Sequence, residues 1–478
     1  MMSPVLFLLL IPVAATLLLG FIAHYRIGAL LNVLASGATL ATAIALLFTE
    51  RVRTDVFIID DFNIYLVILT AFVGFTTSIF SATYIGHELE VGKLTPVFLR
   101  FYHALYQAMM AAMNLALVSN NVGLLWVGVE VATLSTVMMV GVYRTPEAIE
   151  AAWKYFILGS VGIALAFFGT ILIYLVAQPV IGEGLPAMAW DMLLRNGARF
   201  DAKLLSLAFV FLLVGYGTKI GLAPFHAWLP DAHAEGPTPI SAVLSGLLLN
   251  VALYALLRFK MVLATHPDTL NVGMIMISLG LISLVFSGFM LYRRRDIKRL
   301  FAYSSIEHMG IMTFAFGMGG PLANFAGLLH MTMHSLVKPA IFFAVGHIAQ
   351  VKGTQRISQI RGLSVTHPVL AVGLALGVIA IAGLPPFGMF LSEFMLVSSS
   401  FARQPLLALI LVAGLLIAFG ALMLRMQDVL FGEPSGPAGG VKASYIPLFV
   451  HLTLALMAGL WLPEPMVRWF RAVAAQLG

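Results

Sequence analysis

The sequence contains no cysteine, and only 10% of its 478 residues are charged. Without cysteine the chain has no thiolate to hold an iron–sulfur cluster or a zinc ion, and no disulfide. Any electron transfer linked to it must therefore run through a partner. A soluble domain carries about 25% charged residues, so a water-facing surface is also excluded for most of the chain. A basic n-region is missing from the N-terminal stretch MMSPVLFLLLIPVAATLLLGFIAHYR, which reads as an uncleaved first span and not as a signal peptide. The formal net charge is +6, yet the basic residues form no single patch. They are spread through polar loops as topological anchors would be, which argues against a nucleic-acid partner.

What fills the chain is apolar: 60% of residues are hydrophobic. They fall in recurring runs of about 20 residues, each enough to cross a bilayer. The runs predict about fourteen spans, at 4–23, 27–48, 63–86, 98–118, 121–143, 153–177, 204–223, 240–259, 271–292, 301–318, 325–350, 368–398, 404–425 and 445–462. The expected fold is an all-α polytopic membrane protein, a single transmembrane domain over residues 1–478. Its longest loops are expected at 178–203 and 426–444. Lys and Arg favour one set of alternate loops, led by RRRDIKR at 293–299, which predicts both termini on the outer face.

Two spans carry helix breakers, the seventh at Pro224 and the twelfth in GLPPFG at 383–388, with Pro385 and Pro386. Paired breaks at matching places point to inverted repeats, here expected over 98–260 and 271–425. Pro339 is a third expected break, within the eleventh span. Freed backbone groups survive in a membrane only against protein or internal water, so both paired breaks are expected beside a hydrated cavity.

Four ionisable residues stand deep in apolar segments: Glu130, Lys219, Lys338 and Glu393. Each costs about 2.5–3.5 kcal/mol at mid-membrane. Structural ion pairs are one reading, but buried pairs stabilise poorly against apolar packing. A relay of protonatable groups is the reading these residue types favour. His330, His334 and Lys338 follow at intervals of four and share one helical face. The two histidines fit proton transfer, a two-histidine metal pair lacking a third ligand, or simple packing. No metal is assigned. His308 extends the same set, with Glu307 as its local partner. His226 and His233, after Pro224, suit a channel mouth at the inner face. Asn250 either holds water or bonds a neighbouring helix.

The stretch GTKIGLAPFHAWLPDAHAEGPTPISAVLSGLLLN, together with SNNVGLLWVGVEVATLS, EAAWKYF, RRDIKRLFAYSSIEHMG, HMTMHSLVKP and GLPPFGMFLSEFM, resembles the antiporter-like subunits of respiratory complex I, Mrp-type cation/proton antiporters and group-4 membrane-bound hydrogenases. The likeness covers about residues 60 to 430 and is strongest toward component F of the hydrogenase-4 and formate-hydrogenlyase branch. It implies that Glu130 on helix five pairs with Lys219 on helix seven, that Lys338 is the central lysine and that Glu393 is the terminal relay group. Many relatives carry a lysine on helix eight where this chain has Asn250, so water or histidine would bridge that gap. The resemblance further implies no cofactor in this chain. Iron–sulfur clusters, and nickel–iron in a hydrogenase, would belong to partner subunits. Expected partners are other antiporter-like membrane subunits and a peripheral redox arm, in a prokaryotic plasma membrane, moving protons or sodium. A cation/proton antiporter subunit, a membrane partner in inorganic-carbon uptake and an inert scaffold are the competing readings.

Overall fold

A computed structural model describes residues 4–437, 440 and 444–478. The first three residues, and 438–439 and 441–443 of the expected 426–444 loop, lie outside the described residues. The apolar runs form helices throughout. They are α1 (Pro4–Leu19), α2 (Tyr25–Ala45), α3 (Asp61–Glu90), α4 (Pro96–Val118), α5 (Val122–Val140) and α6 (Pro146–Ile181). Then come α7 (Ala202–Ile220), α8 (Thr238–Leu263), α9 (Val272–Arg293), α10 (Ile297–Met318) and α11 (Gly320–Lys352). The last are α12 (Pro368–Ile381), α13 (Gly388–Arg403), α14 (Pro405–Phe431), α15 (Ile446–Leu460) and α16 (Glu464–Gln476).

Local sequence sets the helix starts. Asp60 accepts from the Asn63 N–H and Asn63 Oδ1 from the Asp60 N–H, both at 2.9 Å, a capping box that opens α3. Asn121 Oδ1 takes the N–H groups of Gly123 and Leu124 at 3.0 and 3.1 Å to start α5. Among the described residues, nine helices are long and apolar enough to cross a membrane, or ten if the bent α15–α16 pair counts as one. The protein is thus an all-helical, multi-pass membrane protein, with fewer qualifying helices than the fourteen expected spans. The reason is physical: α4 and α10 are diluted by polar side chains, and α12 and α13 are the two halves of a broken helix. Close packing follows small residues, as membrane helices require. A Cβ at Gly280 of α9 would lie 2.6 Å from the Gly310 carbonyl of α10.

Two helices, α8 and α11, are enclosed by protein on all sides and form the axis around which the others pack. Their contact holds two surprises. Leu244–Leu248 of α8 form a π-helical segment, a distortion often found at functional positions. Pro339, expected to break α11, does not: the helix runs unbroken from Gly320 to Lys352. Residues of α8 and α15 pack and bond around it. Gly246 in the π segment leaves room for the proline ring, which a Cβ there would meet at 2.7 Å. Ser335 Oγ donates to the Gly246 carbonyl at 2.7 Å, and His451 Nδ1 of α15 donates to the Leu336 carbonyl at 2.8 Å.

The C-terminal α16 has no counterpart among the expected spans. It turns 82° from α15 and is amphipathic. Phe470 packs on Tyr65 and Phe325, and Trp469 Nε1 donates to the Asp61 carbonyl at 2.9 Å.

Near the start of α3, Arg258 of α8 is buried against Asp60, with Nη1–Oδ2 at 2.7 Å and Nη2–Oδ1 at 2.9 Å. Its Nε donates to Tyr254 at 2.8 Å, and the guanidinium lies 4.1 Å over the Trp190 ring. Burial alone would push the Asp60 carboxyl up; Arg258 and the N–H groups of Asn63 and Phe62 outweigh it and hold it below its ordinary value. Asp60→Asn strands a buried guanidinium and is expected to cost about 3–5 kcal/mol, read as a lower melting temperature in detergent. Because the folded carboxyl is depressed, the wild type gains this stability above its unfolded value of about 3.9 and loses it as pH falls through that range. The variant should lack that acid-dependent component; equal melting curves at all pH values would refute the role.

Candidate ion-conduction site

Helix α7 ends at Gly221, whose φ of +80° suits glycine, three residues before Pro224. The chain resumes as a short helix, Leu229–Glu235. Side chains take up backbone polar groups at the break. Trp228 Nε1 donates to the Thr218 carbonyl at 2.8 Å, and the Ala223 N–H donates to Ser283 Oγ at 2.9 Å. Pro224 itself is exposed on the helix bundle's surface, as are Pro385 and Pro386 at the second break.

One turn before this break lies Lys219, 1% exposed, with Nζ 3.8 Å from Glu130 Oε2 of α5. Neither atom has a hydrogen-bond partner. Gly159 of α6 leaves the space, since a Cβ there would stand 3.0 Å from Nζ. The ammonium lies 5.8 Å over Tyr155, whose ring stacks on Trp228 at 4.2 Å and whose hydroxyl bonds Thr136 Oγ1 at 2.9 Å. At an effective dielectric near 20, the pair's attraction is about 4 kcal/mol. That is close to the burial cost of one charge. Such a pair is held by charge alone, without a hydrogen bond to fix its geometry.

A second cluster forms where α10, α11 and α13 meet. Lys338, fully buried, donates from Nζ to the Phe301 carbonyl at 3.0 Å and faces the Glu307 carboxylate. His308 Nδ1 and His330 Nε2 are 3.0 Å apart, and His330 Nδ1 is 3.0 Å from Ser392 Oγ, which donates to the Met389 carbonyl at 2.7 Å. Glu393 follows Ser392 and shares with Glu307 a cavity of about 240 Å³, lined also by Leu384, Leu415 and Phe419. The space for Glu393 comes from Gly383, at φ +66° in the second break, where a Cβ would overlap the carboxylate. His334 lies 5.7 Å from the His308 ring with both nitrogens unpartnered. His233 stacks on Phe342 at 5.0 Å and faces Lys298, Lys338 and His334.

Other candidates fall elsewhere. Asn250 Nδ2 reaches Ser335 Oγ at 2.7 Å and so bonds the neighbouring helix α11. His226 packs on Phe286 and Tyr303 at 4.8 and 6.2 Å and stands apart from both clusters. Among the described residues, no direct side-chain contact joins Lys219 to the Lys338 group. Three residues that sequence reasoning passed over are central. Glu307, read only as a neighbour of His308, faces both Lys338 and Glu393. Ser392 orients His330. Lys298, read as a loop anchor, is buried and donates to the carbonyls of Ala234 and Gly236 at 3.1 and 2.6 Å. An ionisable residue inside an apolar run was the signal for Glu307; no sequence signal marks the other two.

Residues 119–418 match the NADH:quinone oxidoreductase/Mrp antiporter transmembrane family. The chain belongs to that family. Glu130, Lys219, Lys338 and Glu393 all lie within the family segment, while α1–α4 precede it. The chain is 58% identical to a hydrogenase-4 component F homolog of Methylacidiphilum infernorum, over 97% of each chain. It is 26% identical to NADH-quinone oxidoreductase subunit N of Chlorobium chlorochromatii, over 75% of this chain and 70% of that one. A subunit of the Mrp complex from Dietzia sp. shares the fold, with a TM-score of 0.86 at 19% identity over 99% of this chain and 97% of that one. This antiporter-like membrane subunit therefore has the family fold from end to end.

In this antiporter-like chain, Trp228 both closes the α7 break and backs Tyr155 under Lys219. Trp228→Phe keeps the stack but leaves the Thr218 carbonyl with only the Gly221 N–H, at 3.2 Å, at an expected cost of about 0.5–1.5 kcal/mol. Thermal unfolding in detergent reads this; an unchanged melting temperature would mean that the carbonyl finds another donor.

Proposed function

We propose that this chain conducts protons across a prokaryotic plasma membrane, as the ion-translocating subunit of a redox-driven complex of the hydrogenase-4 and complex I type. The observation that carries the reading is the Glu130–Lys219 pair: Lys219 buried, Glu130 half-buried, 3.8 Å apart, with no hydrogen bond to the facing atoms among the described residues. A structural ion pair would be locked by additional bonds, as Arg258–Asp60 is. A loose pair lets the lysine carry or release a proton as the glutamate approaches or withdraws. The proton then passes to Lys338 through water or the His233 and His334 rings. From there the Glu307 carboxylate and the His308–His330–Ser392 wire lead to Glu393.

The finer architecture belongs to the same reading. We infer about fourteen spans, because a helix or a broken pair covers each expected stretch, including the shorter α1, α12, α13 and α15. The repeats are 98–260 and 271–425. Their support is the pair of matching breaks, each with a positive-φ glycine, Gly221 and Gly383, beside a relay residue. Both termini face outward. Iron–sulfur clusters and a nickel–iron centre sit in partner subunits, since this chain offers no thiolate. The name of the Methylacidiphilum relative points the same way.

Glu130→Gln or Lys219→Met should abolish redox-driven proton uptake into sealed vesicles while the complex still assembles, as gel filtration would show. Normal pumping by either variant would sink the relay. Mild-detergent pull-down of the tagged chain, with mass spectrometry and metal analysis, tests the partners. Co-purifying iron–sulfur proteins support redox-driven pumping, and nickel with them a hydrogenase. Small membrane proteins without metals would replace this reading with a cation/proton antiporter, and one large zinc protein with carbon uptake.

A further inference from the structure

Spacing along α11 offers two imidazoles, His330 and His334, and no third ligand. The fold assembles a different set. One ligand atom from each of His308, His330 and Glu393 lies within 4.8 Å of the other two, and His334 is not among them. We propose that this cluster binds a divalent transition metal of the zinc class through two imidazole nitrogens and one carboxylate oxygen, and that occupancy arrests ion passage. The binding stands on geometry alone; the arrest rests on the relay reading above.

The dimensions fit. Tetrahedral zinc with bonds of about 2.0–2.1 Å to nitrogen holds two ligand atoms about 3.3 Å apart. His308 Nδ1 and His330 Nε2 are 3.0 Å apart, so the rings need to part by only a few tenths of an ångström. Both nitrogens must then offer lone pairs, which requires each ring to carry its proton on the other nitrogen. The surroundings are built for that. Ser392 Oγ, 3.0 Å from His330 Nδ1, can accept its proton while donating its own to the Met389 carbonyl at 2.7 Å. For His308, the Ile381 carbonyl at the end of α12 lies near the ring, while Nε2 itself has no hydrogen-bond partner among the described residues. Outer-shell acceptors of this kind fix the ring orientation at zinc sites.

Charge and donor type narrow the ligand further. Glu393 and Glu307 line one cavity, so a dication meets two carboxylates, one as ligand and one close behind it. Two nitrogens and an oxygen suit zinc, whereas magnesium and calcium favour oxygen alone. The cavity opens on the Glu393 side of the cluster, the side from which a fourth ligand such as water would come. Groups that pass protons and groups that hold zinc are the same lone pairs, so a metal here would occupy the His308–His330 step itself.

The test is to equilibrate the purified full-length protein with zinc sulfate, desalt it, and count bound zinc beside the X-ray absorption edge. One retained zinc per chain with imidazole scattering is expected. It should be lost in His308→Gln and His330→Gln and kept in His334→Gln. Ser392→Ala should fold normally and weaken binding about 10–100-fold. Zinc retained by both His308→Gln and His330→Gln, or a spectrum without imidazole, would overturn the site and leave the relay untouched. Zinc is then added to sealed vesicles of the wild-type complex. Loss of proton uptake over the concentration range that fills the site supports the arrest. Full uptake with the site filled would remove this step from the relay while the metal site stands.

Discussion

Inside a bilayer no water is at hand to satisfy a freed backbone group or a bare charge, and this constraint orders the whole protein. Every break in a helix needs a protein donor or acceptor at a fixed place. At the α7 break those groups are Trp228 and Ser283; where α8 meets α11, Ser335 Oγ takes up the Gly246 carbonyl of the π segment. The first ties join the break to α9, the second α8 to α11. Lys219 and Lys338 are placed as by-products of these ties, one beside the ring that Trp228 backs, the other three residues past Ser335.

The contrast between two buried ion pairs separates scaffolding from conduction. Arg258–Asp60 is bidentate, short and flanked by Tyr254 and Trp190. Glu130–Lys219 is longer and unsupported. The first would lose several kcal/mol with either partner gone, so it holds one geometry. The second has only its Coulomb attraction, about 4 kcal/mol at an effective dielectric near 20, and no hydrogen bond to fix it. The relay proposed above would need that looser hold, because an equilibrium responds to a push only when its states are nearly level.

Composition and periodicity made the helices legible, because a run long enough to span has few alternatives in lipid. The buried charges were legible for the same reason: Glu130, Lys219, Lys338 and Glu393 stand out against apolar neighbours. What could not be read was contact across helices. Ser392 is an ordinary serine until the fold sets it beside His330, and Lys298 resembles any loop lysine until α10 carries it under the residues after His233. Pro339 misled in the other direction. Its breaking tendency is local, whereas the π segment and Gly246 that relieve it lie some 90 residues away in sequence.

Asn250 shows what the axis itself contributes. A lysine at that position would be a charge on a helix enclosed by protein on every side, and would need a partner there. Asparagine instead spends its amide on Ser335 Oγ and ties α8 to α11 one residue from His334. The tie stiffens the place where the π segment and the proline meet, so movement is directed away from the axis. That leaves the two loose elements at its flanks, the Glu130–Lys219 pair on one side and the Glu307–Glu393 cavity on the other. If the relay proposed above operates, the Glu130–Lys219 pair and the Glu307–Glu393 cavity would affect one another through charge, carried between them by protons on His233, His334 and Lys338.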